Sequence, residues 1–159
     1  MELNHKQLHL DHEGLIDYQK NRPPYLMIDE ATAIIPGVSA RSYKQLTDKD
    51  WFFACHFPGD PNMPGMMQIE ALMQTAALAI VTLPGNKGRI CYLTAADKLK
   101  FRRKLIPGDR FDIETMIVSY KRGVGKAHGT GSVNGAFACE AELHFVVPEV
   151  LADFRLIKT

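Results

Sequence analysis

Residues 56–83 constrain the fold more than any other part of this 159-residue chain. They open with a loop, His56-Phe57-Pro58-Gly59-Asp60-Pro61-Asn62-Met63-Pro64-Gly65. Proline fixes φ, and glycine reaches conformations closed to other residues, so a loop of this composition is built to hold one shape. It leads into a segment, Pro64 to Leu83, that reads as a helix. Met66, Met67, Ile69, Leu72, Met73, Ala76, Ala77, Ile80 and Val81 cover nearly every side of it. A helix that is apolar all round is a buried helix. Proline near its start suits the first turn, and Pro84-Gly85-Asn86 ends it.

The segments around this helix read mostly as strands. A short helix is expected over Gly14 to Lys20. Pro23-Pro24 then forces an extended approach into a strand from Leu26 to Ile35, Pro36-Gly37 turns the chain, and Ser39 to Leu46 is the hairpin partner. Asp48-Lys49-Asp50-Trp51 reads as a turn or one helical turn. Further strands are expected over Arg89 to Ala95, Asp97 to Lys104, Asp109 to Lys121 and Lys126 to Val133, with Gly123 and Gly125 in one turn and Gly135 in another. In the last strand Phe137, Cys139, Ala141, Leu143 and Phe145 alternate with Ala138, Glu140, Glu142 and His144, a period of two that buries one face. Short turns imply a largely antiparallel sheet. The fold class is therefore α+β, one domain over residues 1–159, with the sheet curling around the helix.

Composition narrows the function classes. Hydrophobic residues make up 46% and charged residues 23%, with a net charge of +1, so nothing global points to nucleic acid. The longest apolar stretch carries Glu70, Gln74 and Thr75, which argues against a membrane span. The start, Met1-Glu2-Leu3-Asn4-His5-Lys6, lacks the pattern of a signal peptide, so the expected location is the cytoplasm. Cys55, Cys91 and Cys139 are odd in number and lack CxxC spacing, which disfavours a disulfide framework or a zinc cluster. A Cys55–His56 nucleophile pair is disfavoured because neighbours on an extended segment point apart. His5, His9 and His12 fall at i, i+4 and i+7, the spacing of one helical face. No acid-rich cage accompanies them, so a solvated stretch is the preferred reading and no metal or cofactor is expected.

The chemistry concentrates on His56 and Glu70. Glutamate is almost never fully buried without a partner, and the helix from Pro64 to Leu83 holds no Lys, Arg or His. Desolvation would raise the Glu70 pKa and hold the group ready as an acid. Gln74, four residues on, shares its face and can fix the carboxylate. An exposed rim position, or a base from elsewhere, is the plain alternative. Imidazole suits proton abstraction near neutral pH. Gly65 and Met66 open the helix, and their N–H groups lie at its positive end, a cradle for a developing oxyanion. Lys98, Lys100 and Arg102 alternate with Leu99 and Phe101, and Arg103 and Lys104 follow. This is either a solvated strand face or a dock for an acidic partner.

The segment from His56 to Gly65, followed by Ile69-Glu70-Ala71 and Gln74, closely resembles the active-site segment of β-hydroxyacyl-ACP dehydratases of the FabZ/FabA type. Flanking stretches are similar too: Leu15 to Tyr18 with Tyr25 to Asp29, Asp97 to Arg103 with Pro107-Gly108-Asp109, and Gly125-Lys126 with Ala138 to Leu143. Glu70 matches the FabZ branch. Trp51-Phe52-Phe53 with Cys55-His56-Phe57 and Gly59-Asp60-Pro61 leans toward FabA. The family's His-Arg-Tyr-Pro-Phe stands here as Asn21-Arg22-Pro23-Pro24-Tyr25.

The resemblance implies a hotdog fold and a homodimer, with a trimer of dimers as the larger assembly it allows. Each shared site would take histidine and carboxylate from different chains. The implied reaction converts a (3R)-hydroxyacyl thioester on acyl carrier protein into the trans-2-enoyl thioester. His56 and Glu70 would be catalytic. Gly65, Met66, Gln74 and Phe57 would meet the substrate, with Met66 and Met73 beside an acyl tunnel. Lys98, Lys100, Arg102, Arg103 and Lys104 would dock the carrier protein. A hotdog thioesterase and a non-catalytic acyl-carrier-binding subunit are the rival readings.

Overall fold

A computed structural model describes residues 6–156. In chain order the elements are β1 (Leu8–Leu10), α1 (His12–Tyr18), β2 (Glu30–Ile35), β3 (Ser39–Gln45), a 3-10 turn (Trp51–Ala54), α2 (Gly65–Val81), β4 (Tyr92–Phe101), β5 (Arg110–Lys121), β6 (Val124–Val133), β7 (Ala136–Val146) and α3 (Pro148–Leu156). Among the described residues seven strands form one sheet in the order β1-β2-β3-β5-β6-β7-β4. Every pairing is antiparallel. The sheet curls around α2, giving the expected hotdog layout.

The helix is buried as its sequence requires. From Gln68 to Val81 every residue except Glu70 is buried. Ile69, Leu72, Leu78 and Ile80 are fully covered, each contributing roughly 1.5–3 kcal/mol by leaving water. Two polar residues inside the helix are tied down. Thr75 Oγ1 donates to Ala71 O (2.8 Å) and lies 2.6 Å from Ser42 Oγ on β3. Gln68 Nε2 donates to Met63 O at 3.1 Å, joining the first turns of α2 to the loop before it.

Two glycines let the sheet curl closely over this core. A Cβ on Gly125 would lie 2.2 Å from Phe145 Cζ, and one on Gly131 would lie 2.2 Å from Phe111 Cε2. The aromatic rings fill the places where side chains would be. Gly125 therefore sits inside β6, not in the turn expected for it, and the turn is made by Arg122 and Gly123, both at positive φ.

Other boundaries moved for identifiable reasons. The expected strand from Leu26 pairs only from Glu30 onward, and residues 26–28 instead bury their side chains against the core. The two strands expected between Arg89 and Lys104 are one strand, β4. It carries register shifts between Leu93 and Ala95 and between Asp97 and Lys100, and Lys98 takes φ +52°. A bulge resets the two-residue period, so one strand reads as two. A shift between Gly131 and Ser132 has a like effect on β7: Ala138 is buried, and Phe137 is 42% exposed. The alternation runs cleanly from Cys139 to Phe145.

The short helix begins at His12, where Asp11 accepts a hydrogen bond from the Gly14 N–H (2.9 Å) as its N-cap. His9 lies on β1 and His12 on α1, so these two share no helical face, and His5 lies outside the described residues. No cluster of His, Cys, Asp and Glu among the described residues has the makings of a metal site. β1 and α3 had no clear sequence signal. No helix among the described residues is long and apolar enough to cross a membrane.

Candidate active site

The loop from His56 to Met63 is stapled rather than free. Phe57 and Asp60 exchange two backbone hydrogen bonds of 2.9 Å, with Gly59 at φ +75° between them. The Asn62 N–H returns to His56 O at 2.9 Å, and Met63 N–H donates to Leu105 O at 2.9 Å. Asn62 Oδ1 accepts from the Leu105 N–H (3.2 Å), and Lys104 Nζ reaches Asp60 Oδ1 at 2.6 Å. The segment after β4 thus fixes the loop from the side.

This frame sets the histidine. His56 Nδ1 lies 2.7 Å from the Asn62 carbonyl oxygen. A carbonyl can only accept, so Nδ1 carries the proton, and in the neutral ring Nε2 holds the lone pair. Phe57 stacks on the imidazole with ring centroids 4.0 Å apart, and the phenyl ring is otherwise exposed. Cys55 directs its thiol back to Phe52 O (3.4 Å), so it forms no nucleophile pair with His56. Cys55 is exposed, Cys91 half-buried and Cys139 buried.

Glu70 sits on the second turn of α2 and is half-buried, not sealed in the core. Gln74 Nε2 donates to Glu70 Oε1 at 2.9 Å. The same amide donates to Tyr25 O (2.9 Å), and its Oε1 accepts the Met27 N–H (2.8 Å). Gln74 is 2% exposed, so its orientation is set from both sides. No cation pairs with Glu70 among the described residues. Burial, followed by the charge of Glu70, raises the Tyr25 phenol above its ordinary value.

Glu70 opens onto a cleft of about 330 Å³ whose floor is Met73, Ala77 and Val81 and whose wall includes Cys91 to Leu93. Burial pushes the Cys91 thiol up to about 12, with Glu149 adding to the effect, so this thiol stays protonated and unreactive. Met73 faces the cleft. Met66 does not line it and is 59% exposed. His56 does not line it either.

At the start of α2, the N–H groups of Gly65 and Met66 donate to no acceptor among the described residues. A Cβ on Gly65 would meet the Phe101 ring at 3.0 Å. That contact shows why glycine suits the position: the backbone is approached directly by another group. The sequence reading passed over Phe101 as a spacer between cations, and over Tyr25. Neither residue carried a local signal, because each reaches the site from a distant part of the chain.

The basic stretch is less free than its sequence suggests. Lys98 pairs with Glu142 at 3.1 Å, Lys100 with Glu140 at 2.8 Å, Arg103 with Asp109 at 3.7 Å and Lys104 with Asp60 at 2.6 Å. Arg102 has no such pair among the described residues, though it lies close enough to help lower the Glu140 carboxyl, behind the larger effect of Lys100.

Residues 20–142 match the FabA-like domain family. The chain belongs to that family. A relative from Oceanobacillus iheyensis, named 3-hydroxyacyl-(acyl-carrier-protein) dehydratase FabZ, is 36% identical over 138 residues, covering 87% of this chain and 99% of its own. A Clostridium botulinum relative of the same name is 45% identical over 129 residues, covering 80% of this chain and 88% of its own. Among solved structures, the dehydratase heterocomplex ApeI:P from Xenorhabdus doucetiae superposes with a TM-score of 0.75 at 14% identity, covering 91% of this chain and 97% of that one. That likeness speaks to the hotdog fold.

Proposed function

We propose that this FabA-like protein removes water from a (3R)-hydroxyacyl thioester on acyl carrier protein, giving the trans-2-enoyl thioester in fatty acid or related polyketide or polyene assembly. Relatives so named at 36% and 45% identity support the reaction. The observation that carries it is Glu70, a carboxyl oriented by the Gln74 amide at the head of an apolar cleft.

The chemistry follows from the geometry. Nε2 of His56, left basic by the bond at Nδ1, takes a proton from C2. Charge then develops on the thioester oxygen, where the unpaired N–H of Gly65 at the positive end of α2 would meet it. The C3–O bond breaks, and the hydroxyl leaves as water with a proton from Glu70. Met66 and Phe57 would border the thioester, and Gln74 would position Glu70. Water loss moves protons and one hydroxyl, so these side chains balance the step without an electron acceptor or a cofactor.

The reading requires two chains. The Glu70 cleft lacks His56, and β4 is an edge strand carrying the exposed aromatic residues Tyr92 and Phe101. An open edge of this kind calls for a partner. A homodimer through that region would bring His56 of one copy to Glu70 of the other; a trimer of dimers would repeat the unit. Lys98, Lys100, Arg102, Arg103 and Lys104 would meet the acidic carrier protein. Exposed ion pairs contribute about 0–1 kcal/mol, so these lysines can exchange partners at little cost. Three unpaired thiols fit a reducing compartment such as the cytoplasm.

The test is mass spectrometry of 3-hydroxyacyl carrier protein incubated with the enzyme. Loss of one water is expected. Release of free acid would favour the thioesterase reading, and an unchanged mass with bound carrier protein would favour the binding subunit. Either result overturns the proposal.

A further inference from the structure

The far end of the Glu70 cleft is polar, although its floor is not. Glu70, Met73, Ala77 and Val81 stand at i, i+3, i+7 and i+11 on α2, so the floor runs about 16 Å along the helix. The segment after α1 lies along this floor in the opposite direction. Tyr18 O accepts the Gly88 N–H (3.0 Å) beyond the C-terminal end of α2, and Tyr25 O is held by Gln74 near Glu70. Gln19, the C-cap of α1, therefore lies at the end remote from Glu70.

Gln19 is 3% exposed, lines the cleft, and has no hydrogen-bond partner at either Nε2 or Oε1 among the described residues. A buried amide without partners is costly and rare in a protein that gains nothing from it. Arg89 and Lys20 line the same end. Arg89 gives Nε to Gly85 O (3.1 Å) and one terminal nitrogen to Asp153 (3.3 Å). Its other terminal nitrogen makes no hydrogen bond among the described residues. Lys20, an Arg89 whose charge is partly met by Asp153 but which keeps one terminal nitrogen free of hydrogen bonds among the described residues, and an unsatisfied amide form a poor seat for a methyl group and a better one for an anion.

Resting on the dehydratase reading, we infer that the preferred substrate carries a carboxylate at the tip of its acyl chain, held by Gln19 with Arg89. Gln19 donates through Nε2, and Arg89 supplies charge and a second donor. The apolar floor between Glu70 and Val81 takes the methylene chain.

The experiment compares two 3-hydroxyacyl carrier-protein substrates of equal chain length, one ending in methyl and one in carboxylate, with 3-hydroxybutyryl carrier protein as a short reference. The wild-type enzyme is expected to favour the carboxylate tip by about tenfold or more in kcat/KM, since a site built to hydrogen-bond rejects a ligand lacking the group. Gln19→Leu and Arg89→Ala should each shrink that ratio while leaving the rate on the short reference unchanged. Equal use of both tips by the wild-type enzyme, or preference for methyl, overturns the inference whether or not the variants fold. Failure to dehydrate even the short reference overturns the dehydratase reading instead.

Discussion

Glu70 and Glu142 are both partly exposed, and the protein holds them by different means. Glu142, on the outer face of β7, accepts Lys126 at 2.9 Å and Lys98 at 3.1 Å. Those hydrogen bonds, Lys126 first, pull its carboxyl down to about 2. Glu140 beside it is lowered chiefly by Lys100. Glu70 is held by one neutral amide, itself locked to Tyr25 and Met27. A cation commits a carboxyl to its ionised form, whereas an amide N–H can hydrogen-bond either form. The same side chain is thus a ladder rung paired to cations on the sheet and a cation-free carboxyl held by an amide on the helix.

The largest test of that contrast is catalytic. Glu70→Gln and His56→Ala should each lower kcat by about 10²–10⁴-fold, with thermal unfolding and association state unchanged. Glu142→Gln should leave kcat close to wild type. Comparable losses in Glu142→Gln and Glu70→Gln would erase the distinction.

A packing change on the core side of β6, the face opposite the Lys126–Glu142 pair, should act on stability. Gly125→Val places atoms inside the Phe145 ring and should cost about 1–3 kcal/mol or more, as overpacking does, read by urea unfolding. Gln74→Leu is expected to do both. It strands the Met27 N–H and Tyr25 O, costing about 1–3 kcal/mol, and it frees Glu70 to turn, so kcat falls at near-constant KM. A stability loss with kcat intact would make Gln74 purely structural.

The smallest effect concerns pH. The folded-state value for Glu142 lies below its ordinary value, so its contribution is present above the unfolded pKa of about 4.3 and is lost as pH falls toward about 2. The melting-temperature difference between wild type and Glu142→Gln should therefore be constant above about pH 5 and shrink between about pH 4 and pH 2. A difference that does not change with pH would remove the lysine ladder as its source.

Legibility in the sequence followed range. α2 was readable because an apolar helix of 17 residues has one physical fate, and the loop before it because proline and glycine act locally. The strand breaks near Ala96 and Phe137 were misread, since a bulge changes which face a residue takes without changing its neighbours in sequence. Gln74 as the partner of Glu70 was legible from its i+4 spacing. Phe101 over Gly65, Tyr25 beside Glu70 and the partnerless amide of Gln19 were not, because each arises from segments brought together only by the curl of the sheet.

The amino-acid order by itself therefore determined a buried helix, a stiff histidine loop and an antiparallel wrap, all set by short-range sterics and hydrophobic period. Tertiary structure alone decided the exposure of Glu70, the pairing of the basic strand with Glu140 and Glu142, and the polar end of the cleft. These depend on distances between residues far apart in the chain, and such distances exist only once the backbone has closed on itself.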